Sequence, residues 1–179
     1  MCGGRGTRLD SDAEKPLFRV GGVAMVDRVL AALEASRVER VFAATSPAAP
    51  ETRAHLDVPC IETPGDGYVA DLDAALAHER VSTPVLTVAA DLPLLDGEIV
   101  DRVLAAHGGG SLSVLVPAAR KRELGVSDDT TFERDDREVA PTGVNVVGAS
   151  GDDAWCTEDV RVAVNVNTLA DARVAAALL

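Results

Sequence analysis

At 179 residues the chain fits one domain, long enough for a single core that buries about two-thirds of the unfolded surface. Apolar residues make up 47% and aromatics only 3%, so Val, Ala and Leu must fill that core, a composition suited to a Val-rich parallel sheet covered by Ala/Leu-rich helices. The formal charge of −12 argues against wide contact with nucleic acid or an anionic membrane, and it repels a polyanionic substrate, so attraction to one must come from local amides and a few cations.

The chain opens on Met1-Cys2-Gly3-Gly4-Arg5-Gly6-Thr7-Arg8-Leu9, a short acidic stretch, then Lys15-Pro16-Leu17. Three glycines within four positions leave backbone amides free to close around phosphate oxygens, and Arg5, Arg8 and Lys15 add positive charge at fixed offsets. The pattern predicts a nucleoside triphosphate cradle. A frayed, glycine-rich surface loop is the competing reading, and composition weighs against it: there are fifteen arginines but only two lysines, Lys15 and Lys121. A compact ammonium retained beside a glycine loop suggests a point-charge contact to phosphate. Only Met1 and Cys2 precede Gly3, whereas such a loop normally leaves a buried strand. The expectation is therefore a missing first strand, with the native start upstream.

Helical spacing of Val26, Val29, Leu30 and Leu33 predicts a helix over 23–37, followed by a buried strand over 40–45 that Ser46-Pro47 closes. A shorter strand is expected at 58–61, a helix at 68–79, and the clearest buried strand at 84–90, running into Asp91. A helix at 97–107, the Gly108–Gly110 hinge and a strand at 113–116 continue the alternation, which predicts a doubly wound, mostly parallel sheet with helices on both faces. Residues 117–140 read as charged and irregular, around a hairpin. Strands at 144–147 and 162–167 follow, and Thr168 is expected to cap an alanine-rich final helix. One nucleotide-binding domain over 1–179 is the expected organisation.

Ligands of open α/β sheets bind beyond the carboxyl ends of the strands, so the candidate site comprises Gly3 to Arg8, Thr45, Ser46, Asp91 and the Asn165–Asn167 segment. Asp91, at the end of a buried strand, suits a Mg²⁺ ligand; the alternative is an N-cap for a helix starting near Pro93. Alternation places Asn165 and Asn167 on one side of their predicted strand, as site residues with Asn167 a second metal ligand, or as satisfied core amides.

Other templates fail. No Lys-Ser/Thr pair follows the glycines as in a P-loop, and Leu9 stands where the dinucleotide fingerprint needs its third glycine. His55, His78 and His107 have polar neighbours and read as surface residues. Cys2, Cys60 and Cys156 form neither a disulfide framework nor a metal knuckle. With no apolar run approaching about 18 residues and no signal peptide, a cytoplasmic protein is expected. The acidic, lysine-poor surface is similar to that of proteins from high-salt cytoplasm.

Gly3-Gly4-x-Gly6-Thr7-Arg8 with Lys15-Pro16-Leu17 resembles the signature of nucleotidyltransferases that move a nucleoside monophosphate onto a phosphate acceptor. Further segments narrow the match: Thr45-Ser46-Pro47-x-x-Pro50, Gly65-x-Gly67-Tyr68-x-x-Asp71-Leu72, Ala90-Asp91-Leu92, Pro141-x-Gly143-x-Asn145-Val146-Val147 and Asn165-x-Asn167-Thr168. In order, across almost the whole chain, they resemble the archaeal GTP:adenosylcobinamide-phosphate guanylyltransferases. The resemblance implies a Rossmann-like fold, GTP and adenosylcobinamide phosphate as substrates, and adenosylcobinamide-GDP and pyrophosphate as products, within cobalamin biosynthesis. By position it places Gly3, Gly143 and Asn165 in GTP binding or activity and Asp91 on the metal. Arg8, Lys15 and Asp91 are then the expected catalytic groups. Gly3, Gly4, Arg5, Gly6, Thr7, Thr45, Ser46, Gly65, Gly67, Gly143 and Asn165 are the expected nucleotide contacts, with the Gly65-Asp66-Gly67 turn near the base. Residues 119–139 show no match, and acceptor contacts are not assigned. A phosphate monoester is anionic near neutral pH, so its attack on the α-phosphorus needs no general base. Open alternatives are a molybdenum-cofactor or sugar-phosphate nucleotidyltransferase and a non-catalytic GTP-binding regulator; oligomeric state, a homodimer being one option, is not determined.

Overall fold

The computed structural model describes Met1, Cys2, Leu9 and residues 13–179. Lys15–Leu17 form a single 3₁₀ turn, and β1 (Arg19–Val20) and β2 (Val23–Ala24) make a small hairpin through Gly21 and Gly22, both at positive φ. The first predicted helix is α1 (Met25–Glu34), shorter than expected because Val23 and Ala24 pair with β1 instead. Its buried residues, Met25, Val26, Val29, Ala32 and Leu33, include three of the four that the helical spacing marks, while Leu30 is half-buried.

The next elements are β3 (Ala43–Thr45), a short α2 (Pro50–His55), β4 (Cys60–Glu62), α3 (Tyr68–Leu76), β5 (Val85–Val88), α4 (Gly97–Ala106) and β6 (Leu112–Pro117). Asp96 caps α4, its carboxylate accepting the Ile99 amide, so Asp91 is free of that task. All three β3 residues are buried, as are consecutive Val114, Leu115 and Val116 of β6. Successive side chains point to opposite faces, so both faces of these strands are covered, as the alternating pattern predicts.

Beyond β6 the structure departs from the sequence reading. A helix, α5 (Ala118–Leu124), stands in the stretch read as irregular, ending at left-handed Gly125. The expected hairpin is present: β7 (Phe132–Arg134) and β8 (Arg137–Val147) turn through Asp135 and Asp136 at φ +50° and +59°. β8 runs antiparallel between β5 and β6, so the strand expected at 144–147 is the end of a reversed strand. β9 (Asp153–Cys156), not foreseen, lies parallel to β6.

The strand predicted at 162–167 is overturned. Residues Val160–Ala163 form α6, and an extended segment follows, whose Val166 amide donates to the Asp91 carbonyl at 2.9 Å. The β-branched run there is overruled from its N-terminus: the Asp159 carboxylate accepts the Arg161 amide, and the Arg161 guanidinium bridges Asp159 to Asp96 at the start of α4. Thr168 does cap the last helix, α7 (Leu169–Leu178), in a reciprocal box with Asp171.

β3 pairs parallel with β4, and the second sheet has the order β5-β8-β6-β9, with β5, β6 and β9 running one way and β8 the other. Met1 and Cys2 join the two sheets: the Met1 amine donates to the Val88 carbonyl, the Met1 carbonyl accepts from Ala90, and the Cys2 amide donates to Ala44. That is a parallel ladder in the place of a central strand. Ahead of Met1, between β3 and β5, lies a cavity of 430 Å³ lined by apolar side chains including Val29, Leu30, Leu33, Ala43, Leu76 and Leu86.

Four apolar residues joined ahead of Met1 are expected to continue the ladder into this cavity and raise Tm by roughly 3 °C or more, since each kcal/mol moves a domain of this size by about 2–4 °C. Calorimetry against a Gly/Ser extension of equal length checks it. A second expectation concerns pH. Its hydrogen bonds to Arg161, working against burial, hold the Asp159 carboxyl below its ordinary value. A depressed carboxylate stabilises fully above its unfolded pKa, and that contribution is lost as pH falls through the folded value. Asp159→Asn should cost about 1–3 kcal/mol near neutrality and flatten the acid limb of the unfolding free energy below about pH 4.

Candidate active site

Three parallel segments end at one edge of the sheet. In the middle segment Cys2 is bonded to Ala44 on one side, and Met1 is bonded to Ala90 on the other. Thr45 and Asp91, each one residue further on, therefore stand on either side of Cys2. Gly3, Gly4, Arg5, Gly6, Thr7 and Arg8 themselves lie outside the described residues. Leu9, beyond them, is buried with Val164, Val166 and Leu94.

On the Asp91 side a polar cluster forms. The Lys15 ammonium donates to Asp91 Oδ2 at 2.5 Å and to Asn167 Oδ1 at 2.8 Å. The Asn165 amide donates to Asp91 Oδ1 at 3.1 Å and to the Thr142 carbonyl at 2.9 Å. Lys15, Asp91, Asn165 and Asn167, all marked by the sequence, are thus brought together from three segments. Lys15 and Asp91 keep 18% and 16% of their side-chain surface exposed, so the pair is desolvated yet reachable from solvent. Lys15 is delivered there by its neighbour: the Glu14 carboxylate accepts the amides of Glu51 and Thr52 at the start of α2. Burial pushes Glu14 upward, but hydrogen bonding from Thr52 and Glu51 outweighs it and its carboxyl lies below the ordinary glutamate value.

Gly143 belongs to the same cluster. Its φ is +80°, its carbonyl accepts the Ala89 amide, and a Cβ there would stand 2.8 Å from Ala89 Cβ and 3.7 Å from Asn165 Nδ2. Only glycine lets β8 approach β5 this closely beside Asn165.

On the Thr45 side, Thr45 and Ser46 are buried, and the Thr45 hydroxyl has no hydrogen-bond partner among the described residues. Gly65, at φ +80°, faces Ser46 so closely that a Cβ would lie 3.1 Å from Ser46 Cβ. Its amide donates to Asp71 Oδ1 at 2.7 Å, which staples the turn to α3, while Gly67 at φ +114° opens that helix with open space around it.

Three contributors escaped the sequence reading as site residues. Thr142 supplies the carbonyl that holds Asn165. Asp171 accepts five hydrogen bonds, from the amides of Ser127, Asn167 and Thr168 and the hydroxyls of Ser127 and Thr168, and so sets the backbone carrying Asn167. Lys121 is buried against Asn165. The scarcity of lysine was the available signal for Lys121; nothing local marks the other two.

Residues 1–176 match the MobA-like NTP transferase domain. The chain belongs to that family. Over its whole length the transferase is 29% identical to the adenosylcobinamide-phosphate guanylyltransferase of Methanocaldococcus jannaschii, covering 95% of that protein. Over 66% of its length it is 32% identical to the bifunctional protein GlmU of Leifsonia xyli subsp. xyli, of which it spans 26%. Among solved structures, a hypothetical transferase from Thermus thermophilus shares the fold with a TM-score of 0.60 and 22% identity, over 83% of this chain and 63% of that one. CMP:2-keto-3-deoxy-manno-octonic acid synthetase complexed with CTP does so with a TM-score of 0.54 and 18% identity, over 79% of this chain and 71% of that one. Among the described residues, no helix of the transferase is long and apolar enough to cross a membrane.

Gly143→Val should destabilise the transferase by at least about 2 kcal/mol, combining left-handed strain with the clash at Ala89. Urea unfolding measures it; a loss under about 0.5 kcal/mol would refute the close-approach role.

Proposed function

We propose that the transferase moves GMP from GTP to adenosylcobinamide phosphate, releasing adenosylcobinamide-GDP and pyrophosphate, in cobalamin biosynthesis. The observation that carries this reading is a lysine ammonium set between a carboxylate and an amide oxygen at the strand ends, in a chain similar over its full length to a guanylyltransferase of that name. An oxygen of the acceptor phosphate attacks the α-phosphorus of GTP, and the bond from that phosphorus to the bridging oxygen of the β-phosphate breaks. The nucleophile is anionic already, so no side chain need remove a proton.

The glycine-loop amides of Gly3, Gly4 and Gly6, with Arg5, Thr7, Arg8 and Lys15, take the triphosphate. Thr45, Ser46, Gly65 and Gly67 line the nucleoside side, and Gly143 and Asn165 complete the floor. Asp91 and Asn167 offer one carboxylate and one amide oxygen, a donor set that suits Mg²⁺, which binds few protein ligands beside waters and phosphate. That ion supplies charge neutralisation on the triphosphate. Both oxygens now accept from Lys15, so the ammonium is poised to pass from them to a phosphate as the nucleotide arrives.

Lys15→Ala and Asp91→Ala should each lower kcat/KM for pyrophosphate release, with GTP and adenosylcobinamide phosphate, by at least about 100-fold. Near-wild-type turnover in either removes that residue from the mechanism. Turnover with a molybdenum-cofactor or sugar-phosphate acceptor in place of adenosylcobinamide phosphate would reassign the substrate, and tight GTP binding without pyrophosphate release for any acceptor would make the protein a binding module.

A further inference from the structure

The chain's two lysines, Lys15 and Lys121, converge on one carboxylate from opposite sides. Lys15 touches Asp91 directly, whereas Lys121, on α5, is 3% exposed and reaches it through one intermediary. Its ammonium donates to Asn165 Oδ1 at 3.2 Å and to the Ser127 carbonyl at 3.4 Å. Asn165 in turn donates from Nδ2 to Asp91 Oδ1.

We propose that Lys121 is a positioning residue for Asp91, acting through the side-chain amide of Asn165. The inference rests on the nucleotidyl-transfer reading of this site. An ammonium carries three donors and no acceptor, so the amide edge facing it must be Oδ1. With that edge committed, Nδ2 faces Asp91 and the Thr142 carbonyl, and both of those are acceptors. A flipped amide would set oxygen against the Asp91 carboxylate and the Thr142 carbonyl, and nitrogen against the ammonium, three repulsive contacts in a site with little water to screen them. Held this way, Asn165 occupies Asp91 Oδ1 and leaves Oδ2 as the oxygen that meets a cation, now the Lys15 ammonium.

Burying an ammonium is costly, and the fold accepts that cost here. Burial lowers the Lys121 pKa, against the opposing charges of Asp171, Asp91, Asp128 and Asp129. A position serving only to fill space would be cheaper as an apolar side chain.

The test combines Lys121→Met, which keeps length and removes the donor, with Asn165→Ala and the double variant. Partners behind a metal ligand typically contribute 10–100-fold to metal affinity or activity, so Lys121→Met should lower kcat and the affinity for Mn²⁺·GTP, read by electron paramagnetic resonance, by roughly tenfold. Affinity for GTP in the absence of a divalent ion should stay within about twofold, because the lysine touches no nucleotide. In the Asn165→Ala background the same substitution should have no further effect on Mn²⁺·GTP affinity. A folded Lys121→Met variant with wild-type kcat and Mn²⁺·GTP affinity overturns the proposal, as does a loss that persists undiminished without Asn165.

Neutron diffraction on the ligand-free wild type decides independently, including the case in which Lys121→Met does not fold. Deuterons on the Asn165 atom facing Asp91 support the assignment; deuterons on the atom facing Lys121 refute it. If wild-type protein fails to bind Mn²⁺·GTP, the functional reading falls, while the measured amide orientation still settles the role of Lys121.

Discussion

A carboxylate at the end of a buried strand is the constraint around which this site is built. Asp91 sits where β5 leaves the sheet, and a lone charge there would be costly to desolvate. The fold answers with an ammonium on one oxygen, an amide on the other, and a backbone bond from Val166 to the Asp91 carbonyl. The answering groups come from two parts of the chain, both far in sequence from Asp91. Satisfying one carboxylate therefore pins the 3₁₀ turn of Lys15 and the segment after α6 to the same spot.

Outer groups hold the inner ones in turn. Glu14 anchors the turn that carries Lys15 to α2, Asp171 gathers the backbone of Asn167 and Thr168, and Arg161 locks the start of α6 to the start of α4. Charge-assisted hydrogen bonds are the stronger kind, and they gather around the site at residues that do not touch one another in sequence. In a chain of net charge −12, this arrangement sets a few cations against the acidic groups at one strand end.

The reversed strand β8 contributes what a wholly parallel sheet would not. Running between β5 and β6, it brings Gly143 against Ala89, two residues before Asp91, and Thr142 against Asn165. Met1 and Cys2 are bonded on both sides, to Val88 and Ala90 of one sheet edge and to Ala44 of the other. Thr45 and Asp91, with the groups gathered around each, thus stand on the two flanks of a single short segment.

Much of this was legible in the sequence, because it follows from local patterns. The helical stripe of α1, the apolar run of β5 ending in Asp91, the turn glycines Gly65 and Gly67 and the Thr168 cap each depend on neighbours within a few residues, as backbone hydrogen bonding and side-chain alternation do. The convergence of the two lysines on one carboxylate was half visible: Lys15 stood beside the glycines, whereas Lys121 stood in an unmatched stretch. Only the tertiary structure decided that Val160–Ala163 is a helix, that β8 is reversed, and that Lys121 points inward to Asn165 rather than to solvent. Those outcomes turn on contacts between residues far apart in sequence, Arg161 with Asp96, Val146 with Leu86, Lys121 with Asn165. Such contacts are made only when separate segments meet, so they leave no trace in the order of the residues on either side.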